Sequence, residues 1–373
     1  MSAVLLHIGT GKTGSTSIQS AMSWLAKQGG LADVHYARIT HKKHHNELSL
    51  LFKPHATIWR DSRSRFPQDD ERYRKHVAQV ESRFRNELAE HERVVLSAES
   101  LSNFKPDEVA ALADALRELG ANKVKVLMYL REPASLYLSQ VQQRLKASAH
   151  FPDPAQYRFE YFDRVSRWRA CFSDVEIRQF SRETLAGGNV FEDFICVLNG
   201  FFGTTIAVSE QAPRPSNESF SATGMALMQR FRELLYSGED NRFDDATIRL
   251  IHRLSRYERQ VGKASRPALR PELAQNIRYR HGDDIQQLRK LLGWTIFPEV
   301  DFLTPGECAA VNGDVRNLFD WSAKDEQALE RLCYEMLHTL LCIDVRNNPH
   351  WPRPRPKPAG LLQRLWRRVR QSG

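Results

Sequence analysis

The residues best suited to chemistry open the chain: His7-Ile8-Gly9-Thr10-Gly11-Lys12-Thr13-Gly14-Ser15-Thr16. They follow an apolar run, Ala3-Val4-Leu5-Leu6, and lead into Ser17-Ile18-Gln19-Ser20-Ala21-Met22-Ser23-Trp24-Leu25, which has helical spacing. A strand, a glycine-rich turn and a helix in that order build an anion pocket. Glycines let the backbone approach a phosphate closely, and a helix N-terminus presents unpaired N–H groups with a partial positive charge. Lys12 adds a full charge, and Ser15, Thr16 and Ser17 add hydroxyl donors. The pattern predicts a loop that holds phosphate or sulfate.

The nucleoside-triphosphate loop G-x-x-x-x-G-K-[ST] is only partly matched. Gly11-Lys12-Thr13 supplies its second half, but its first glycine would fall on Leu6. Enzymes with that loop also hold magnesium through an acid that closes a later apolar strand. Here the later strands end in Ser97-Ala98-Glu99 and Leu130-Arg131-Glu132, neither closed by Asp. A P-loop nucleotide or small-molecule kinase remains an alternative, as does a non-catalytic nucleotide- or anion-binding protein.

A shorter loop fits better. Gly11-Lys12-Thr13-Gly14-Ser15-Thr16 closely resembles the K-x-G-T-T loop that grips the 5′-phosphosulfate in sulfotransferases using 3′-phosphoadenosine 5′-phosphosulfate. The likeness is strongest to their bacterial carbohydrate and glycosaminoglycan branch. The family's second signature is a strand ending in Arg, followed about eight residues later by a helical Ser; together they bind the 3′-phosphate. Lys123-Val124-Lys125-Val126-Leu127-Met128-Tyr129-Leu130 reads as that strand, Arg131 ends it, and Ser139 stands at the required spacing. Pro133 suits the first turn of the intervening helix. A looser likeness, to an asparagine-serine element of bacterial members, runs from Arg214 to Arg232.

The resemblance implies that Gly11, Lys12, Thr13, Gly14, Ser15 and Thr16 hold the 5′ end of the donor, and Arg131 and Ser139 its 3′-phosphate. It implies sulfonate transfer to a hydroxyl of a saccharide, glycolipid or polysaccharide, with no metal required. Lys12 would stabilise the charge that develops on the bridging oxygen. Glu99, at the end of Val94-Val95-Leu96-Ser97-Ala98, is the first candidate base, because related glycan and tyrosyl-protein sulfotransferases use a glutamate. The run His41-Lys42-Lys43-His44-His45-Asn46-Glu47 follows the second strand and is expected to face the same cleft. Histidine is the base in other branches, so His44 or His45 is the second candidate, or a contact for an acidic acceptor. The run does not read as a metal site.

These residues need a scaffold, and the apolar periodicity provides one. Strands are predicted at 3–8, 34–38, 93–98, 123–130 and 174–180, with helices at about 15–28, 70–91, 106–119, 133–148 and 189–201. The alternation predicts an α/β three-layer sandwich with a central parallel sheet of about five strands, and the resemblance makes it P-loop-kinase-like. The site should lie at the carboxyl ends of the strands. A nucleotide-binding core is expected over 1–210, a helical substrate-side region of the same domain over 211–345, and a Pro/Arg-rich tail over 346–373. In that tail, Leu361, Leu362, Leu365, Trp366 and Val369 share one helical face among four arginines. Residues 359–370 are read as an interfacial contact with an anionic membrane, or else as a docked helix or a basic tail.

The length of 373 residues suffices for a large core, and 41% hydrophobic with 27% charged residues are the values of a soluble globular protein. No apolar run approaches the roughly 18 to 20 residues that span a bilayer, and no basic-then-apolar signal peptide opens the chain. Five cysteines without C-x-x-C spacing predict reduced thiols rather than disulfides or zinc, and a cytoplasmic setting. A formal net charge of +9 favours anionic partners. No zinc-finger spacing or RNA-binding aromatic signature points to nucleic acid.

Overall fold

The computed structural model describes residues 2–53, 70–209, 211–213, 220–238, 245–260, 266–306 and 310–347. Strands β1 (Ser2–Gly9), β2 (His35–Tyr36), β3 (Arg93–Ala98), β4 (Ala121–Leu130) and β5 (Asp174–Gln179) form one sheet in the order β2-β3-β1-β4-β5. Every pairing is parallel. A parallel sheet must be covered on both faces, and its central strands are accordingly apolar at successive positions, not only at alternate ones. Val4, Leu6 and Ile8 of β1 enter one apolar cluster with Val94, Leu96, Val126 and Met128. Leu5 enters the other with Val95, Leu127 and Tyr129.

Twelve α-helices are present among the described residues. Helices α1 (Ser15–Lys27) and α7 (Val190–Phe202) cover the Leu5 face. The opposite face is covered by α3 (Asp70–Glu90), α4 (Pro106–Glu118), α5 (Pro133–Leu145) and α6 (Tyr161–Arg169). Helix α2 (Ser49–Phe52) is a single turn before α3. The result is the expected helix–sheet–helix sandwich. The chain leaves β1 toward β2 on one side of the sheet and leaves the neighbouring β4 toward β5 on the other. A crevice therefore opens at the carboxyl ends of β1 and β4.

Helices α8 (Ala222–Leu235), α9 (Asp245–Gln260), α10 (Pro271–Arg280), α11 (Gly282–Leu292) and α12 (Ala323–Asn347) complete the described chain. Helix α10 packs on α5, α11 on α6, and α8 on both α5 and α12. Polar locks join these layers. Helix α6 has no side-chain cap of its own. Asp284 of α11 supplies one, accepting from Tyr161 N at 2.8 Å and Phe162 N at 3.0 Å. Arg278 of α10 donates to Glu132 at 2.9 Å, while the same carboxylate caps α5 through Ala134 N and Ser135 N.

Two elements differ from the sequence expectation. The second strand keeps only two ladder residues, because β2 is an edge strand whose pairing with β3 ends at Tyr36↔Val95. Helix α6 was not predicted; its nine residues are rich in Arg, yet Tyr161, Val165 and Trp168 are its buried positions, spaced as on one helical face. Residues 214–219 of the asparagine-serine element, and the tail from 348 including 359–370, lie outside the described residues. Cys171, Cys196 and Cys333 are free thiols. Among the described residues no helix is long and apolar enough to cross a membrane.

Candidate active site

The glycine-rich segment bridges the end of β1 and the start of α1, and neighbouring strands pin it. Thr10 Oγ1 donates to the Tyr129 carbonyl of β4 at 2.6 Å. Arg131, just past β4, donates from Nη1 to the Lys12 carbonyl at 3.2 Å. Lys12 itself has φ 59°, a left-handed conformation for a residue with a side chain. Such backbone costs about 1–3 kcal/mol and persists where surrounding contacts impose it, as at ligand-holding loops.

Gly14 is the N-cap of α1, with φ 79° and no side-chain cap, and the first turn holds no acidic residue. The helix N-terminus thus turns its unpaired N–H groups toward the crevice without an internal anion. A Cβ on Gly14 would lie 2.7 Å from Val190 Cγ1. Gly9 is required by close approach: a Cβ there would lie 2.2 Å from Ser15 Oγ and 2.7 Å from Glu99 Cγ. That contact brings the end of β1, the start of α1 and the end of β3 together.

Gly11, Lys12, Gly14, Ser15, Thr16, Glu99, Arg131 and Ser139 all line one cavity of about 2300 Å³. Seven of the eight residues expected to hold the donor therefore share a wall with the first candidate base. Thr13 is fully buried behind that wall, and its hydroxyl has no hydrogen-bond partner. Ser15 Oγ is likewise buried without a partner of hydrogen-bonding geometry. Further cationic lining comes from Arg144, Lys146, Arg182 and Arg266.

Helix α5 explains how one element serves both halves of the site. Leu136, Tyr137, Val141 and Leu145 are buried on its core side. Ser135, Ser139, Gln143 and Lys146 recur three or four residues apart and line the cavity. Ser135 Oγ accepts from Arg131 Nε at 2.8 Å, and Gln143 Oε1 accepts from Lys12 Nζ at 2.7 Å. Ser139 therefore stands one turn beyond the serine that contacts Arg131. The polar stripe on an otherwise apolar helix is the sequence signal that would have named Ser135 and Gln143.

Electrostatics separate the two candidate catalytic groups. Burial pulls the Lys12 pKa down to about 8, with Lys146 and Arg131 adding repulsion and Glu99 opposing. Burial raises the Glu99 pKa above the usual carboxylate range, while the nearby Ser15 hydroxyl and the Lys12 charge pull it back. A cation and a carboxylate face each other across a site that withdraws both from water.

His45 is not on the cavity wall, which corrects its assignment as an alternative base. It is 1% exposed, and both ring nitrogens are committed to backbone. Nδ1 accepts from Ser97 N at 2.7 Å and Nε2 donates to the Ala37 carbonyl at 2.7 Å, while His45 N donates to the Ser97 carbonyl at 2.9 Å. This side chain continues the β3 ladder where β2 has ended. Burial lowers its pKa to about 4, so the neutral ring is the stable form. His44 does not line the cavity either. The neighbouring Asn46 does bear on the site: its Oδ1 accepts from Glu99 N at 2.7 Å and Ser100 N at 3.2 Å. Through Asn46, the histidine-rich run holds the backbone at Glu99.

Below the loop, His7 Nδ1 is 2.8 Å from Ser97 Oγ, which also accepts from Gln19 Nε2 at 3.2 Å. Burial lowers the His7 pKa to about 3, so it is a neutral support of the loop's base. The chain matches no protein-family model and no curated protein sequence.

Proposed function

We propose that this protein is a sulfotransferase that moves a sulfonate from 3′-phosphoadenosine 5′-phosphosulfate to a hydroxyl of a carbohydrate or glycolipid. One observation carries the reading. The loop at 11–16 and the Arg131–Ser139 element, which are more than a hundred residues apart in sequence, line one cavity, and Arg131 bonds directly to the loop backbone. A ligand with anionic groups at two ends could be held at both.

The donor fits the residues present. The uncapped α1 N-terminus, with Gly14, Ser15, Thr16 and Ser17 on the cavity wall, offers N–H groups and the Thr16 and Ser17 hydroxyls to the 5′-phosphate. Arg131 and Ser139 would take the 3′-phosphate, with Ser135 holding the guanidinium in place. The cavity exceeds the roughly 300–1,000 Å³ of ordinary small-molecule pockets, so an acceptor sugar has room beside the nucleotide.

In this reading Lys12, oriented by Gln143, stabilises negative charge on the oxygen that leaves the sulfur. Glu99 takes the proton of the acceptor hydroxyl as that oxygen bonds to sulfur. Its raised pKa makes it a stronger base than an exposed carboxylate.

Calorimetric titration with 3′-phosphoadenosine 5′-phosphate tests the donor class. Binding is expected without magnesium, and Arg131→Ala should weaken it by about 2–5 kcal/mol through loss of a buried charge contact. Binding of magnesium-ATP in preference to the 3′-phosphorylated nucleotide would overturn the proposal in favour of a kinase.

A further inference from the structure

We propose that His35, Glu87 and His91 form a binding site for a divalent late transition-metal ion, outside the catalytic cavity, with zinc as the ion of choice. The three residues come from distinct places that the fold brings together. His35 lies on the edge strand β2, Glu87 in the last turns of α3, and His91 just after that helix. Their potential ligand atoms all lie within 4.8 Å of one another. None of the three lines the catalytic cavity.

The local geometry is held from both sides. Register pairing of His35 with Val94 fixes the backbone of the first histidine against β3. Glu87 and His91 are four residues apart, the spacing that puts two side chains on one face where a helix continues. His35 Nε2 and Glu87 Oε2 are 2.5 Å apart, and the rings of His35 and His91 stack with centroids 3.5 Å apart and 20° between planes. Arg38 N donates to the same Glu87 oxygen at 2.8 Å, the kind of outer hydrogen bond that orients a ligating carboxylate. The side chains of His35 and Glu87 keep 22% and 17% of their exposure, enough for an ion to enter from solvent.

The donor set chooses the ion. Two imidazoles and one carboxylate suit zinc and its neighbours, with the fourth tetrahedral position left to water. Calcium and magnesium need more oxygen ligands than one carboxylate supplies. Ligand bonds of about 2.0–2.2 Å set the donors of a tetrahedral ion about 3.3 Å apart. Binding therefore opens the His35–Glu87 hydrogen bond and turns the His91 ring out of its stack until both imidazoles point at the ion. Such an ion would tie the two-residue edge strand to the α3–β3 corner.

Zinc titration of the full chain, followed by calorimetry and thermal unfolding, tests the site. One equivalent should bind with micromolar or tighter affinity and raise the unfolding temperature. His91→Ala and Glu87→Gln should each weaken that binding at least about tenfold and remove the thermal shift. The chain has 13 histidines, so these variants separate the site from scattered surface binding. Variants that bind as the unaltered protein does would overturn the proposal. Cobalt(II) added to the unaltered protein supplies an independent reading: intense visible absorption of a four- or five-coordinate ion, displaced by one equivalent of zinc, is expected. A spectrum of fully hydrated cobalt would overturn it.

Discussion

Substitution of the glycine that opens α1 tests the loop geometry most directly. Gly14→Ala places a methyl group 2.7 Å from Val190 Cγ1 and 3.2 Å from Phe180 Cε2, in a backbone at φ +79°. The left-handed conformation costs a residue with Cβ about 1–2 kcal/mol, and forcing a methyl into packed side chains costs about 1–3 kcal/mol more. The sum is about 2–5 kcal/mol of folding stability. Gly11→Ala is the internal control. It has φ +74° but nothing within 4 Å of the added methyl, so only the backbone cost of about 1–2 kcal/mol applies. Urea unfolding of both variants should therefore differ by about 1–3 kcal/mol, the packing component alone. Gly14→Ala should also weaken binding of 3′-phosphoadenosine 5′-phosphate, because moving α7 or Phe180 shifts the α1 N-terminus. Equal losses in the two variants would refute the close packing of Val190 and Phe180 against Gly14. No loss in either would refute its left-handed geometry.

Activity should follow a bell-shaped pH profile. Lys12 acts protonated, so transfer falls as pH rises through about 8, and Glu99 acts deprotonated, so transfer rises above a pKa higher than the ordinary carboxylate value. A profile flat between pH 7 and 9 would exclude Lys12 from the chemical step. Glu99→Gln should abolish the lower limb and most of kcat while leaving nucleotide affinity near that of the unaltered protein. Asn46→Ala removes the acceptor for Glu99 N and Ser100 N and should cost about 1–3 kcal/mol in stability. It should lower kcat with little change in nucleotide KM; unchanged kcat would show that Glu99 holds its place unaided. His45 has a folded pKa of about 4 against 6.5 unfolded, so the unfolded chain binds the extra proton between those values. Stability should be full above about pH 6.5 and fall by up to about 1.4 kcal/mol per pH unit below it. Denaturation midpoints that do not change from pH 7 to pH 5 would contradict the buried neutral ring.

Sequence alone determined whatever depends on local spacing. The five strands and the helices at 15–27, 106–118, 133–145 and 190–202 were legible because apolar periodicity and Pro or Gly punctuation are short-range signals. The anion loop was legible for the same reason: a strand end, glycines, a lysine and a helix start are contiguous. Helix α6 was not, since its cap is Asp284, more than a hundred residues away in α11. The role of His45 was beyond reach as well. A histidine in a polar run looks like a base until the fold shows both nitrogens spent on the backbone of two other segments.

What only the tertiary structure decided is which distant groups share a space. The parallel sheet sets β1, β3 and β4 side by side and so brings Lys12, Glu99 and Arg131 to one crevice. It also shows Ser135 as the side chain that bonds Arg131, while Ser139, one turn further along α5, stays on the cavity wall; spacing alone does not reveal that contact. Periodicity fixes which face of an element is buried. The rotation and offset with which two elements meet arise from packing among residues far apart in the chain, and those relations decide which polar side chains touch.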